Sequence, residues 1–229
     1  MKGKKIAVVI PARNEEEHIA EVVRGARKHA DQVIVVDDGS VDRTAEEASC
    51  AGARVLKLSK NKGKGYAMRV GAERALSGGA GVIVFMDGDG QHRPEDIPVF
   101  LKGLEDADAV FGNREGGDMP LIKRFGNRGI GLLFRILFKH YPKDMLCGFK
   151  AFRADALKKV WWQSDGYFVE TEITAKSFVK GLRIRRVDIP IIYKDVAKGT
   201  SVLDGLIIGL KMILLKLNML AQDLFKSPR

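Results

Sequence analysis

Residues 83–96 read IVFMDGDGQHRPED, and the fold turns on them. Four strand-forming apolar residues run into Asp87 and Asp89, with a glycine on either side of the second carboxylate. An apolar run this short, closed by turn residues, suits a strand buried on both faces. Two like charges at its mouth repel unless a cation joins them. Oxygen ligands of this kind suit Mg2+ or Mn2+, which keep other positions open for water or phosphates. Asp87, Asp89 and Gln91 are therefore the candidate metal ligands, with His92 on the same turn. Gly88 and Gly90 leave room for a diphosphate to approach.

The pattern extends upstream. KIAVVI (5–10), QVIVVDD (32–38) and ARVLKL (53–58) are further short apolar runs. Between them lie stretches with helical spacing, such as Ile19, Val22, Val23 and Ala26 behind an acidic first turn. Ser40 or Asp42 can cap the helix of DRTAEEASCAG, and GYAMRVGAERALSGG is a third helix ended by a glycine pair. The alternation predicts an α/β fold: a mostly parallel sheet with helices on both faces. Ligands of such sheets bind beyond the carboxyl ends of the strands. Asp37, Asp38, Asp87 and Asp89 fall there, as does Pro11-Ala12-Arg13-Asn14-Glu15. A carboxylate at 37–38 can accept from a base N–H or a ribose hydroxyl, or can cap the next helix. Asn61-Lys62-Gly63-Lys64-Gly65 fits neither a Walker A loop nor GxGxxG. It reads as a basic, glycine-rich helix start able to receive a base edge or a phosphate.

The second half is less regular. DADAVFGNR (106–114) reads as a fifth strand, KRFGNRGIGLLFRILFKH (123–140) as a basic helix, FVETEITAKSFVKG (168–181) as a helix and IRRVDIPIIY (184–193) as a strand. Residues 1–109 carry 17 Lys/Arg against 18 Asp/Glu, a net of −1, whereas 110–229 carry 22 against 11, a net of +11. Such a half suits an anionic partner: phospholipid, nucleic acid or a phosphorylated substrate. Nucleic acid is disfavoured, because aromatic residues make up only 7% of the chain and no recognised motif interleaves them with the basic groups. Cys50 and Cys147 form no CxxC pair, so neither a zinc knuckle nor a disulfide framework is expected, and a reducing compartment follows. Six apolar residues near the start are too few for a signal-peptide core.

We divide the chain into a catalytic domain, 1–202, and a C-terminal amphipathic helix, 203–229. In the tail Leu203, Leu206, Ile207, Leu210, Ile213, Leu214, Leu217 and Leu224 share one broad side, with Asp204, Lys211, Asn218 and Gln222 largely opposite. Lys211 and Lys216 interrupt the run, so a helix lying in a membrane interface fits better than a spanning one. Packing on its own domain, or on a second subunit in a homodimer, is the alternative.

The order and spacing of PARNEE, VVDDGSVDRT, NKGKGYA, MDGDGQHRPED, FGNR, DMLCGFKAFR and YFVETEI resemble glycosyltransferase family 2. Within it, they resemble the branch of dolichyl-phosphate mannose synthase and related polyprenyl-phosphate glycosyltransferases. The resemblance covers about residues 6–201. It implies a GT-A fold and a nucleotide-sugar donor such as GDP-mannose or UDP-glucose. It places Pro11, Asn14, Glu15 and Asp38 around the nucleotide, joined on the residues' own chemistry by Lys64, Asp87 and Gly88. It makes Asp87, Asp89 and Gln91 the metal site, and sets Arg114 and Arg128 on the donor diphosphate or the acceptor phosphate. The branch commonly reads D-A-D-L at the metal, where this chain has glycine beside each aspartate. It also tends to carry an arginine five residues before a Ser-Lys pair. Here Val196 and Ser201-Val202 stand instead, with Lys194 and Lys198 nearby, so Lys198 and Ser201 are acceptor-side candidates.

The expected reaction is inverting displacement at the anomeric carbon by a polyprenyl (dolichyl) phosphate, at the cytoplasmic inner face of the cell membrane. A phosphate acceptor needs no general base. A saccharide hydroxyl would need one, and Glu170 or Glu172 is then the candidate. A nucleotidyltransferase on a similar sheet would instead release pyrophosphate from a nucleoside triphosphate.

Overall fold

A computed structural model describes residues 3–115, 121–142, 144–190 and 202–226, with side chains placed for 3–114, 129–142, 144–190 and 207–221. Among the described residues seven strands form one sheet: β1 (Ile6–Ala12), β2 (Gln32–Asp37), β3 (Arg54–Lys57), β4 (Val82–Phe85), β5 (Ala109–Glu115), β6 (Lys150–Arg153) and β7 (Ile184–Pro190). Their spatial order is β3-β2-β1-β4-β6-β5-β7. The first four strands are parallel, as the apolar runs predict.

Alternation along the strands builds two cores. Val8, Ile10, Val33, Val35, Val82 and Val84 point to one face, where they meet α1 (Ile19–Arg27), α2 (Thr44–Cys50) and α4 (Ile97–Gly103). Ala7, Val9, Ile34, Val36, Ile83 and Phe85 point to the other. There they meet α3 (Lys64–Ser77), α6 (Ala154–Lys159) and α7 (Val169–Val179). A strand walled in on both sides has no polar face to show, hence the unbroken apolar runs. The helix periodicity also holds, since Ile19, Val22, Val23 and Ala26 are the buried stripe of α1.

Three local features depart from the sequence reading. DMLCGFKAFR contributes β6, which runs antiparallel between β4 and β5 and delivers residues 144–150 to the centre of the sheet. Helices α4 and α6 carry no signal picked out above. Asp42, and not Ser40, serves the start of α2: its carboxylate accepts from the Thr44 N–H (3.0 Å), whereas the Ser40 hydroxyl accepts from the Asn14 N–H (3.0 Å).

Two long helices complete the fold, α5 (Leu121–Phe138) and α8 (Val202–Lys226). Phe134 and Phe138 of α5 and Ile208 and Met212 of α8 pack with Phe168 and Ala175 in a third cluster. The opposite side of α8 is left bare: Ile207, Leu210, Ile213, Leu214, Leu217 and Leu220 are all exposed, beside exposed Leu132 and Ile136 of α5. Every described member of the leucine-rich side read from the sequence thus faces outward. Among the described residues no helix is long and apolar enough to cross a membrane.

Candidate active site

The sheet order places β2 on one side of β1 and β4 on the other, so the chain reverses its direction of winding beside β1. Helices on the two sides diverge at such a point and leave a crevice beyond the carboxyl ends of the strands. A cleft of about 250 Å³ occupies that place. The end of β1 contributes Pro11, Ala12, Arg13 and Glu15, and the end of β2 contributes Asp38. Asn61, Gly63 and Lys64 come from the start of α3, Asp87, Gly88 and Asp89 from beyond β4, and Gly166 and Tyr167 from before α7.

Both carboxylates of the acidic pair reach the cleft, but in different electrostatic states. Burial alone would raise the Asp87 carboxyl, yet the Lys64 ammonium beside it holds it down at about 2. The Lys64 Nζ lies 2.6 Å from Asp87 Oδ1. Asp89 is pushed up instead, first by burial and then by the negative charge of Asp87. The repulsion inferred from the sequence is therefore present, and it falls on Asp89. The Asp89 carboxylate also accepts from the Gln91 N–H (3.0 Å), so Gln91 enters the site through its backbone and does not line the cleft. His92 is buried under the pair, its Nδ1 3.9 Å from Asp87 Oδ2, with burial holding the imidazole below its usual range. Gly148 is needed below Asp87, because a Cβ there would sit 2.4 Å from Asp87 Oδ2.

The cleft side formed by the ends of β1 and β2 is held by loop-to-loop hydrogen bonds. Asp37 turns inward and accepts from the Ser40 N–H (2.9 Å), so Asp38 is the member of the pair that faces the cleft. Asp38 accepts from the N–H groups of Lys62 (2.7 Å) and Gly63 (2.8 Å), which pins the start of α3 across the crevice. Gly63 takes φ +99°, a conformation that favours glycine. Asn14 braces the loop after β2, its side-chain oxygen accepting from the Val41 N–H (3.0 Å). Glu15 lines the cleft, and its N–H donates to the Thr44 hydroxyl (2.8 Å).

Glu170 and Glu172, on the first turn of α7, are both buried and outside the cleft lining. Glu170 is paired with Lys64 (3.1 Å) on one oxygen and with buried Lys150 on the other. Glu172 accepts from the Gln163 and Ser164 N–H groups (3.0 and 2.9 Å) and pairs with Lys176 (2.7 Å). Arg114, on β5, forms a two-pronged pair with Asp144 (2.5 and 2.8 Å) and is not among the cleft-lining residues. The Arg128 side chain, Lys194, Val196, Lys198 and Ser201 lie outside the described residues.

Lys150, Asp144 and Tyr167 were not singled out in the sequence. Lys150 and Asp144 stood within DMLCGFKAFR, but their pairings could not be read from it, because their partners are 20 and 30 residues away along the chain. Tyr167, exposed at the cleft rim, stood within YFVETEI but has no distinctive spacing.

The donor set fits a hard divalent cation. Asp87 and Asp89 offer carboxylate oxygens two positions apart in the lining of an open cleft, where a cation would relieve the repulsion between them. Among the described residues no cluster of three or more His, Cys, Asp or Glu is assembled for a metal. The rest of the ion's shell would then come from water and the phosphates of a bound substrate.

A mostly parallel α/β sheet with an acidic pair at its switch point is the GT-A-like arrangement the motifs implied. The chain belongs to glycosyl transferase family 2, whose family model matches residues 7–161, and is a glycosyltransferase. It is 35% identical over 225 residues to an uncharacterized protein of Methanocaldococcus jannaschii, covering 93% of each chain. It is 33% identical over 246 residues to UDP-N-acetylglucosamine–dolichyl-phosphate N-acetylglucosaminyltransferase of Methanococcus voltae (95% of this chain, 98% of the relative). Undecaprenyl-phosphate mannosyltransferase of Micrococcus luteus is 32% identical over 221 residues, with 90% of each covered. Among solved structures, glucosyl-3-phosphoglycerate synthase of Mycobacterium tuberculosis with phosphoglyceric acid superposes with a TM-score of 0.73 at 26% identity, covering 94% of this chain and 80% of that one. The same enzyme has been crystallised with Mn2+, UDP-glucose and phosphoglyceric acid (TM-score 0.72, 25% identity; 94% of this chain, 79% of that one).

Proposed function

We propose that this glycosyltransferase moves a hexose, mannose or glucose, from GDP-mannose or UDP-glucose to a polyprenyl (dolichyl) phosphate, with inversion at the anomeric carbon and with Mg2+ or Mn2+ as cofactor. The observation that carries the reading is the pairing of Asp87 with Asp89 on one wall of the switch-point cleft. A cation held there supplies Lewis-acid neutralisation of the charge on the departing nucleoside diphosphate. Asp38, Glu15 and Pro11 in the same lining suit the nucleoside, and Arg13 and Lys64 bring positive charge to the phosphates.

The placement of the two candidate bases supports a phosphate acceptor. A hydroxyl acceptor needs a carboxylate base within hydrogen-bond reach. Glu170 and Glu172 are instead committed to lysines and backbone N–H groups behind the cleft wall. A phosphate monoester has a second pKa of about 6 and is its own nucleophile at neutral pH. Two of the relatives described above are named for dolichyl- or undecaprenyl-phosphate acceptors, which supports the same class. The bare leucine-rich face of α8 and α5, with Lys211 and Lys216 on the same helix, suits peripheral binding to the cytoplasmic face of a membrane that holds such a lipid. We retain the division at 202/203 as part of this reading, with α8 as the membrane-facing element.

The test is direct. Protein, Mg2+, dolichyl phosphate and labelled GDP-mannose or UDP-glucose should yield a chloroform-soluble labelled product. Labelled sugar appearing only on added saccharides would overturn the lipid acceptor, and pyrophosphate release from a nucleoside triphosphate would overturn glycosyl transfer itself.

A further inference from the structure

Four charged side chains run in a line from the cleft into the core. Lys64 Nζ sits 2.6 Å from Asp87 Oδ1 and 3.1 Å from Glu170 Oε1. The other oxygen of Glu170 is paired with Lys150, which also donates to the Cys147 carbonyl. The Lys150 and Glu170 side chains are 1% and 3% exposed, whereas Lys64 is 15% exposed and lines the cleft.

Two features separate this line from an ordinary structural ion pair. The carboxylate that Lys64 holds belongs to the acidic pair, Asp87 and Asp89, in the cleft lining. And Lys64 already touches a second carboxylate, so it can leave Asp87 without becoming an unpaired buried cation, the costly outcome for such a group. Charge counting agrees. Asp87, Asp89 and Glu170 against Lys64 and Lys150 give three negative and two positive groups, a net of −1. A divalent ion alone reverses that sign, while a divalent ion arriving with the two charges of a diphosphate restores it.

We propose that Lys64 is a stand-in for the metal: it neutralises Asp87 while the cleft is empty, and turns to Glu170 and the incoming diphosphate when a divalent ion takes that carboxylate. Lys64 thus suppresses metal binding in the absence of donor and couples it to donor binding. Glu170, fixed by Lys150, is the berth that makes the exchange possible. The inference rests on the metal reading given above.

Mn2+ titrations of the full chain followed by electron paramagnetic resonance, with and without UDP or GDP, test it. Lys64→Met should bind Mn2+ alone about tenfold tighter than wild type, since a unit charge beside a divalent ion has gone. It should also lose most of the tightening that the nucleotide brings. Lys64→Arg keeps the charge and should follow wild type. Equal Mn2+ affinity in wild type and Lys64→Met, both binding, overturns the role of the lysine and leaves the metal site standing. Absence of Mn2+ binding by wild type with either nucleotide, indistinguishable from Asp89→Asn, overturns the metal site itself. If Lys64→Met fails to give a cooperative thermal melt, 15N-lysine spectra of wild type titrated with Mg2+ replace it. A shift of the Lys64 ammonium supports the exchange, and an unmoved ammonium at saturating Mg2+ overturns it.

Discussion

Replacing Lys150 by methionine tests whether the charges behind the cleft are as dry as the structure makes them. Lys150 and Glu170 are 1% and 3% exposed, so water cannot take over when one partner is removed. Methionine fills much of the same volume, and what remains is chiefly a buried carboxylate that has lost a cation. Losses of this kind amount to about 3–5 kcal/mol. For a chain of this size each kcal/mol lowers the thermal midpoint by about 2–4 °C. Lys150→Met should therefore melt roughly 6–20 °C below wild type. Part of the loss should reach the cleft, because Lys64 must then serve both Asp87 and Glu170 alone. Urea denaturation followed by tryptophan fluorescence is a suitable assay, since buried Trp162 donates to the Gly65 carbonyl (2.8 Å) one residue from Lys64. Adding Glu170→Leu to Lys150→Met should restore much of the stability, because the stranded charge is gone. A loss below about 1 kcal/mol, or a double variant worse than the sum of its singles, would refute the buried-pair argument.

Three further outcomes are expected. Gly148→Ala puts a Cβ 2.4 Å from Asp87 Oδ2 and must displace that carboxylate, so it should weaken Mn2+ and nucleotide binding, measured by calorimetry, more than it lowers the melting point. The folded Asp87 carboxyl lies at about 2 against an ordinary 3.8, so the stability it contributes is full above about pH 4 and is lost as pH falls towards 2. Acid unfolding followed by fluorescence should accordingly be shallower in Asp87→Asn across that window. Leu210→Ser with Leu214→Ser and Leu217→Ser removes exposed apolar groups, and should abolish sedimentation with anionic vesicles while changing the melting point by little. Unchanged sedimentation would place membrane contact elsewhere.

Much of the fold was legible because it rests on local patterning. The apolar runs ending at Pro11, Asp37 and Asp87 have to be strands buried on both faces, and the stripes between them have to be covering helices. That alternation sets a parallel sheet and sends Pro11, Asp38, Asp87 and Asp89 to one rim, which is where they lie. Less legible was the second half, where β6 turns antiparallel and the short α4 and α6 give too few turns to show a period.

By itself, then, the sequence determined the strand-helix order as far as β4, the acid pair at the mouth of the fourth strand and the leucine-rich side of the last helix. All three are matters of spacing along the chain, where neighbours in sequence are neighbours in space. Tertiary structure alone decided that Asp38, and not Asp37, faces the cleft, that Arg114 is taken up by Asp144, and that Glu170 and Glu172 stand behind the wall. It alone joined Lys64, Glu170 and Lys150 into a line of charge beneath Asp87. The pairings in that line bridge residues 20 to 106 positions apart, from Lys150 with Glu170 to Lys64 with Glu170, and a charged side chain's choice among distant partners is settled by burial and geometry that no local pattern encodes.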